Sequence, residues 1–286
     1  MSVYKALKNG LVTAFRKPRI LVDLWVINAV FALAVAAPMA VLIQKDLGHS
    51  LLGRNLRSMD MTWLGDAIFK YQDILPAVRA WIFVLVGLYF VLSIFLNGGV
   101  IGRLVDREGP SSLSAFIADC GKYFGRFIRL SLLSLTFDVV TLGLAMNLVA
   151  TLTRSALENA RMEWTGLLID NLSTLLALLL LTVVRMVFDY ARILVVVGDE
   201  RRVLRALRTA LLFLGKRFFR AWFLYLTVSA GFLLGTVVYF AVAGALPPTG
   251  LFFLGVAVLW AQVFILFRLW TRMVFFAAQA AYYRMF

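Results

Sequence analysis

The chain is almost without cysteine and histidine, and this shortage excludes several kinds of chemistry. Cys120 is the only cysteine and His49 the only histidine among 286 residues. One cysteine cannot form an intrachain disulfide or a thiolate cage for zinc, and one histidine cannot complete an HExxH or other multi-histidine site. Serine–histidine catalysis is equally unsupported, because His49 has no suitable partner in the sequence. We therefore expect no enzyme, no metal and no cofactor.

Charged residues are also scarce, at 15% of the chain, whereas 62% of the residues are hydrophobic and the mean hydropathy is +0.89. Soluble domains carry about 25% charged residues, so this composition predicts a membrane protein. The charges that remain are strongly basic, with a formal net charge of +14. A basic soluble protein would suggest nucleic acid, but Lys and Arg also accumulate in the cytoplasmic loops of membrane proteins. Because no nucleic-acid recognition motif accompanies them, we expect membrane lipids as partners and no nucleic acid.

Six segments are long and apolar enough to cross a bilayer, which takes about 20 residues at a helical rise of about 1.5 Å. They are Ile20–Ile43, Val78–Ile101, Phe127–Leu152, Leu172–Val197, Ala221–Leu246 and Leu251–Phe276. The basic segment before the first span lacks the pattern of a cleaved signal peptide, so we expect the first span to direct insertion. The sequence thus predicts an all-α, integral membrane protein that forms a single membrane domain over residues 1–286.

The distribution of Lys and Arg predicts the orientation. An even number of spans puts both termini on one side, and the loops of that side carry most of the cations. The positive-inside rule therefore places both termini in the cytoplasm, and we expect the bacterial inner membrane. The longest outer loop, residues 44–76, has apolar residues near helical spacing from Leu51 to Phe69. This pattern favours amphipathic helices on the outer surface, as an interfacial anchor rather than a lid over the bundle.

The sequence also contains a threefold internal repeat, with units at about 1–109, 110–199 and 200–286. Each unit opens with an alanine that is followed eleven residues later by a cation: Ala6 and Lys17, Ala115 and Arg126, Ala206 and Arg217. Each opening predicts an amphipathic helix on the cytoplasmic side, and Ser111 or Ser112 can cap the second one. Two spans follow in each unit, so the copies are parallel, as in some transporters.

A polar centre lies at the depth of the membrane. Asp138 and Arg185 occupy the middle of their spans, Asp189 shares a helix face with Arg185, and the last span carries Arg268 and Arg272. Because an ion in hydrocarbon costs several kcal/mol unless it is paired or hydrated, these residues need an explanation. Three remain open: buried ion pairs that fix the helix register, a cytoplasm-facing cavity in which arginines bind an anion, and proton coupling through Asp138.

Four further cations are candidates for contact with lipid headgroups, namely Lys17, Arg126, Arg192 and Arg217. All four stand near the cytoplasmic ends of spans, where a long basic side chain can reach the phosphates of anionic lipids.

The chain resembles a loose group of bacterial six-span proteins, the membrane domain attached to some glycerophosphodiester phosphodiesterases and the YciC-like inner-membrane proteins. The resemblance rests on Asn97-Gly98-Gly99-Val100, the short basic turn and the Ser111–Phe127 helix after it, and Asp189-Tyr190-Ala191-Arg192 before the Val203–Phe218 helix. It implies the six-span layout, but phosphodiesterase activity is not implied because no catalytic domain is appended.

These observations favour a non-enzymatic inner-membrane protein that binds lipid or serves as a structural or accessory subunit of a membrane complex, in contact with membrane-protein partners. The alternative is a small transporter or channel built around Asp138 and Arg185. The two differ in what surrounds those side chains: transport requires a hydrated cavity, whereas a scaffold has them paired and dry.

Overall fold

The computed structural model describes residues 3–47, 72, 75–106, 112–159, 163–247 and 250–286. Within these ranges the chain forms seven α-helices and no strands, as the composition predicts. They are α1 (Val3–Phe15), α2 (Pro18–Leu47), α3 (Leu75–Val105), α4 (Leu113–Asn159), α5 (Glu163–Val197), α6 (Val203–Ala245) and α7 (Leu251–Tyr283).

Five of the described helices, α2, α3, α4, α6 and α7, are long and apolar enough to cross a membrane. The fourth predicted span, Leu172–Val197, is helical throughout as part of α5. It is not among those five, and its second half carries Arg185, Asp189 and Arg192.

Of the three amphipathic helices expected at the starts of the repeat units, only α1 is a separate element. Pro18, which has no backbone N–H to donate, follows Lys17 and begins α2 in a new direction. In the other two units the amphipathic segment continues without a break into the span, as α4 and α6. Helix α6 is kinked at Arg217, whose backbone is non-helical (φ −141°, ψ 26°). Ser112 caps α4 as predicted, because its Oγ accepts a hydrogen bond from the N–H of Ala115 at 3.2 Å.

The structure bears on three predicted connections. The connection that the predicted spans leave over Thr153–Asn171 is helical at both ends, because α4 continues to Asn159 and α5 begins at Glu163. The predicted outer loop of residues 44–76 begins inside α2, and its proposed amphipathic part lies outside the described residues. The predicted turn at Pro247–Gly250 is described only at its two ends.

The ends of the helices beside α1 form a tightly packed region, which we call the closed half: residues 18–28, 92–105, 113–134, 186–197, 203–228 and 268–283. Most of the buried side chains lie in α1 and in this region. Small residues allow close approach, since a Cβ at Gly10 of α1 would lie 2.7 Å from the backbone of Ala278. The Gly98-Gly99 pair packs α3 against Phe116 and Cys120 of α4, as expected for small residues at a helix interface.

The opposite ends of the helices are loosely packed, and we call them the open half: residues 29–41, 76–91, 135–151, 171–185, 229–245 and 252–267. Among the side chains described there, only Leu85 and Ala145 are buried. The chain therefore packs as a bundle at one end and separates into helical hairpins at the other.

Candidate functional site

A cavity of about 670 Å³ lies where the closed half gives way to the open half. All six helices from α2 to α7 contribute to its wall. This volume falls in the range of about 300–1,000 Å³ that is typical of small-ligand sites.

All five residues of the predicted polar centre line this cavity, and Arg192 joins them. The sequence placed these side chains at a common depth, and the fold brings them to one space. Four arginines (185, 192, 268 and 272) face two aspartates (138 and 189), so the ionisable groups of the wall carry a net formal charge of +2. Because an arginine at the centre of a spanning helix costs about 2.5–3.5 kcal/mol on insertion scales, a positive excess favours occupation by water or an anion.

The two aspartates each form an ion pair. Arg185 Nη2 lies 3.3 Å from Asp138 Oδ2, across the interface between α4 and α5, so the pair forms within one helical hairpin. Arg192 Nη1 donates to Asp189 Oδ1 at 2.7 Å within α5. The first pair is incompletely closed, since the Arg185 side chain is 63% exposed and Asp138 is 17% exposed. The buried Oδ1 of Asp138 accepts no hydrogen bond from any described residue.

The two arginines of α7 differ from each other. Arg272 Nη2 donates to Asn97 Oδ1 on α3 at 2.6 Å, so a neutral acceptor holds it in place without cancelling its charge. Arg268 is exposed to the cavity, and no ion-pair or hydrogen-bond partner is found for it in the described part of the chain. Of the two, only Arg268 is therefore left without a partner among the described residues.

Neutral polar side chains complete the wall, and sequence reasoning missed several of them. Three of the helices contribute a stripe at helical spacing, so their polar residues three and four apart face the cavity together. The stripes are Tyr89, Ser93 and Asn97 on α3, Ser131, Ser134 and Asp138 on α4, and Arg185, Asp189 and Arg192 on α5. Extending the search for such stripes from ions to Ser, Asn and Tyr would have found the missing residues.

Among the predicted headgroup cations, Arg192 lines the cavity, whereas Lys17, Arg126 and Arg217 each contact the end of their own predicted repeat unit. The Lys17 side chain is only 6% exposed, and Nζ donates to the backbone carbonyls of Arg103 and Asp106 at the end of α3. Burial lowers the pKa of Lys17, against the opposing effect of the Asp106 charge. Arg217 lies over the ring of the C-terminal Phe286, with Cζ 3.5 Å from the ring centre.

In the second unit, Arg126 Nη1 donates to Asp199 Oδ1 at 2.6 Å, and Lys122 lies 3.6 Å from the same oxygen. The hydrogen bond from Arg126, together with both positive charges, lowers the pKa of Asp199. We refer to the Lys17–Asp106, Arg126–Asp199 and Arg217–Phe286 interactions as the three closing contacts.

An apolar groove of about 300 Å³ runs beside the cavity, between α2 and α3. Its wall consists mainly of Phe31, Val35, Ile82 and Val86, with the buried Leu85 beside them. A second apolar hollow lies between α4 and α5 and extends from Leu142 to Leu181.

In the described part of the chain, no group of three or more His, Cys, Asp or Glu residues could hold a metal ion. Comparison with protein-family models, curated proteins and solved structures found no match to this chain. The resemblance to the six-span bacterial group therefore stays a prediction.

Proposed function

We propose that the chain is a six-span protein of the bacterial inner membrane with both termini in the cytoplasm. In this proposal α5 crosses the membrane in addition to α2, α3, α4, α6 and α7. The closed half then lies toward the cytoplasm, where the basic loops of the sequence lie. Arg185, Asp189 and Arg192 of α5 face the cavity rather than lipid, which lowers the cost of inserting this helix.

The closing contacts support the parallel threefold repeat. Lys17, Arg126 and Arg217 correspond by position in the sequence, and each of them contacts the residues that follow the second span of its own unit. The group that each cation contacts differs between the units: a carbonyl, a carboxylate and an aromatic ring. Its position after the second span of the unit is the same. Three units with one topology and one internal contact are what a triplicated parallel repeat would produce.

The function that the site supports best is the binding of an anionic lipid headgroup, without catalysis. The observation that carries it is Arg268, an arginine at membrane depth that faces a positively charged cavity and has no described protein partner. A phosphate can accept two parallel hydrogen bonds from one guanidinium, so it suits this position chemically. An accessory role in a membrane complex is compatible with headgroup binding and stays a prediction.

The test compares Arg268→Gln with the intact chain in nanodiscs of phosphatidylcholine that contain a small fraction of phosphatidylglycerol. Bound phosphatidylglycerol is counted by native mass spectrometry, and inorganic phosphate is added as a competitor. A charge-assisted hydrogen bond contributes about 1.5–3 kcal/mol, so we expect affinity for the anionic lipid to fall at least about tenfold. If inorganic phosphate binds as tightly as phosphatidylglycerol and displaces it, the ligand is a soluble anion instead.

The matched control is Arg208→Gln, which removes the same charge from an exposed position on α6 outside the cavity. We expect this variant to retain selective binding. If Arg208→Gln loses as much binding as Arg268→Gln, the attraction is general surface electrostatics and the cavity is not the site.

Transport of an anionic solute is the second candidate, favoured by the presence of a cavity around Asp138 and Arg185 and by a bundle that is packed at one end only. It predicts net flux across liposomes that contain the protein, and a loss of that flux in Asp138→Asn. If the protein binds the anionic lipid selectively but carries no anion across the liposome membrane, transport is rejected and lipid binding is retained.

A further inference from the structure

We propose, on the basis of the headgroup-binding function above, that the ligand is an anionic amphiphile whose hydrocarbon chain lies in the groove between α2 and α3. The ligand then enters the cavity sideways from the bilayer, with its phosphate near Arg268 and its chain along Phe31, Val35, Ile82 and Val86.

The groove and the cavity adjoin each other and share part of their walls. Asn28 and Ala32 of α2 and Tyr89 of α3 line both spaces. A ligand bound in the cationic cavity can therefore extend into apolar surroundings without crossing a helix. The combination of a positive site and an adjoining apolar channel is complementary to a molecule with an anionic head and a hydrocarbon chain.

In the part of the chain that the structure describes, the α4–α5 and α6–α7 hairpins show no such channel. Between α6 and α7 the space is filled by aromatic rings, with Tyr239 and Phe264 stacked at a centroid distance of 4.2 Å and Trp260 donating to the carbonyl of Tyr239. The hollow between α4 and α5 is apolar, but none of its described lining residues also lines the cavity. The α2–α3 side is therefore the one at which an apolar channel joins the cationic site.

A polar contact marks the boundary between the two spaces. Tyr89 Oη donates to Asn28 Oδ1 at 2.5 Å, while Asn28 Nδ2 donates to the carbonyl of Leu24. The ring of Phe31 lies against Tyr89 on the apolar side, at a centroid distance of 5.3 Å. Hydroxyl and amide groups at this level suit the glycerol and ester region of a lipid, which separates its phosphate from its chain.

The experiment compares two probes that share a headgroup: glycerol 3-phosphate, which has no chain, and 1-palmitoyl lysophosphatidic acid, which adds one. The test variant is Val86→Trp, which fills the groove. Its control is Val84→Trp, on the same helix and equally exposed (63% against 59%) but outside the groove. Binding is measured for the whole chain in phosphatidylcholine nanodiscs.

We expect the palmitoyl probe to bind at least tenfold more tightly than glycerol 3-phosphate. Val86→Trp should abolish that advantage and leave glycerol 3-phosphate binding unchanged, while Val84→Trp should alter neither. Equal binding of the palmitoyl probe to Val86→Trp and to the intact chain would overturn the groove assignment, as would equal losses in both tryptophan variants.

Arg268→Gln separates this proposal from the proposed function. Binding that depends on Arg268 but not on Val86 leaves headgroup recognition standing and removes the groove. Binding that depends on neither Arg268 nor Val86 contradicts both headgroup recognition and the groove assignment.

A palmitoyl probe with a diazirine on its chain gives a second readout that does not depend on a variant. It should crosslink to α2 and α3, and an excess of unlabelled probe should suppress this crosslinking. Labelling that the unlabelled probe does not reduce comes from probe dissolved in the bilayer and contradicts the proposal.

Discussion

The two halves of the bundle are made from the same helices but are packed in opposite ways. In the closed half, side chains of α2 to α7 pack together with α1, and the closing contacts hold the ends of the predicted repeat units. In the open half, the helices leave grooves between α2 and α3 and between α4 and α5, and they bury almost nothing among the described side chains. The difference predicts that stability resides mainly in the closed half and that a ligand enters through the open half, with the cavity at the boundary.

The largest effect is expected when one residue from each half is replaced on the same helix. Leu224 and Leu234 both lie on α6, and they are 1% and 67% exposed. Leu224→Ala should lower the free energy of unfolding by about 2–5 kcal/mol, because it leaves a cavity in a packed region. Leu234→Ala should lower it by less than about 0.5 kcal/mol. Thermal unfolding in nanodiscs, followed by tryptophan fluorescence, measures both; similar losses would show that the two halves do not differ as described.

A smaller effect is expected at the first closing contact. Lys17→Met removes the ammonium that binds the carbonyls of Arg103 and Asp106 at the end of α3. A buried acceptor left without a donor costs about 1–3 kcal/mol, so stability should fall by about that amount. Lys8→Met is the control, since Lys8 is exposed on α1. A stability loss in Lys8→Met that matches the loss in Lys17→Met would mean that charge, not the closing contact, is responsible.

The smallest effect concerns Asp199, which is half exposed and bound by Arg126. Asp199→Asn should cost less than about 1 kcal/mol, because solvent screens an exposed pair. The pKa of Asp199 is lowered in the folded protein, so its contribution is present above the unfolded value of about 3.9 and is lost as the pH falls through the lower folded value. The stability difference between the two chains should therefore disappear at acid pH. A difference that persists there would contradict the ion pair.

Much of the site follows from the sequence, because ions are rare in apolar helices and their depth can be counted along each helix. Asp138, Arg185, Asp189, Arg268 and Arg272 were identified in this way, and the structure gathers all five around one cavity. Their individual partners were less predictable. Arg272 binds Asn97, 175 positions earlier in the chain, and that contact depends on how α7 packs against α3.

The sequence by itself determined the membrane character and the helical segments, because hydropathy and helical rise depend only on local composition. It also determined which side chains must avoid lipid, since the cost of exposing an ion to hydrocarbon is intrinsic to the residue. The tertiary structure alone decided that the helices pack at one end and part at the other. It likewise decided that Arg268 is left without a described partner and that the cavity adjoins the α2–α3 groove. Those features depend on distances between helices, and helix packing is set by shape complementarity across the whole bundle rather than by any one segment.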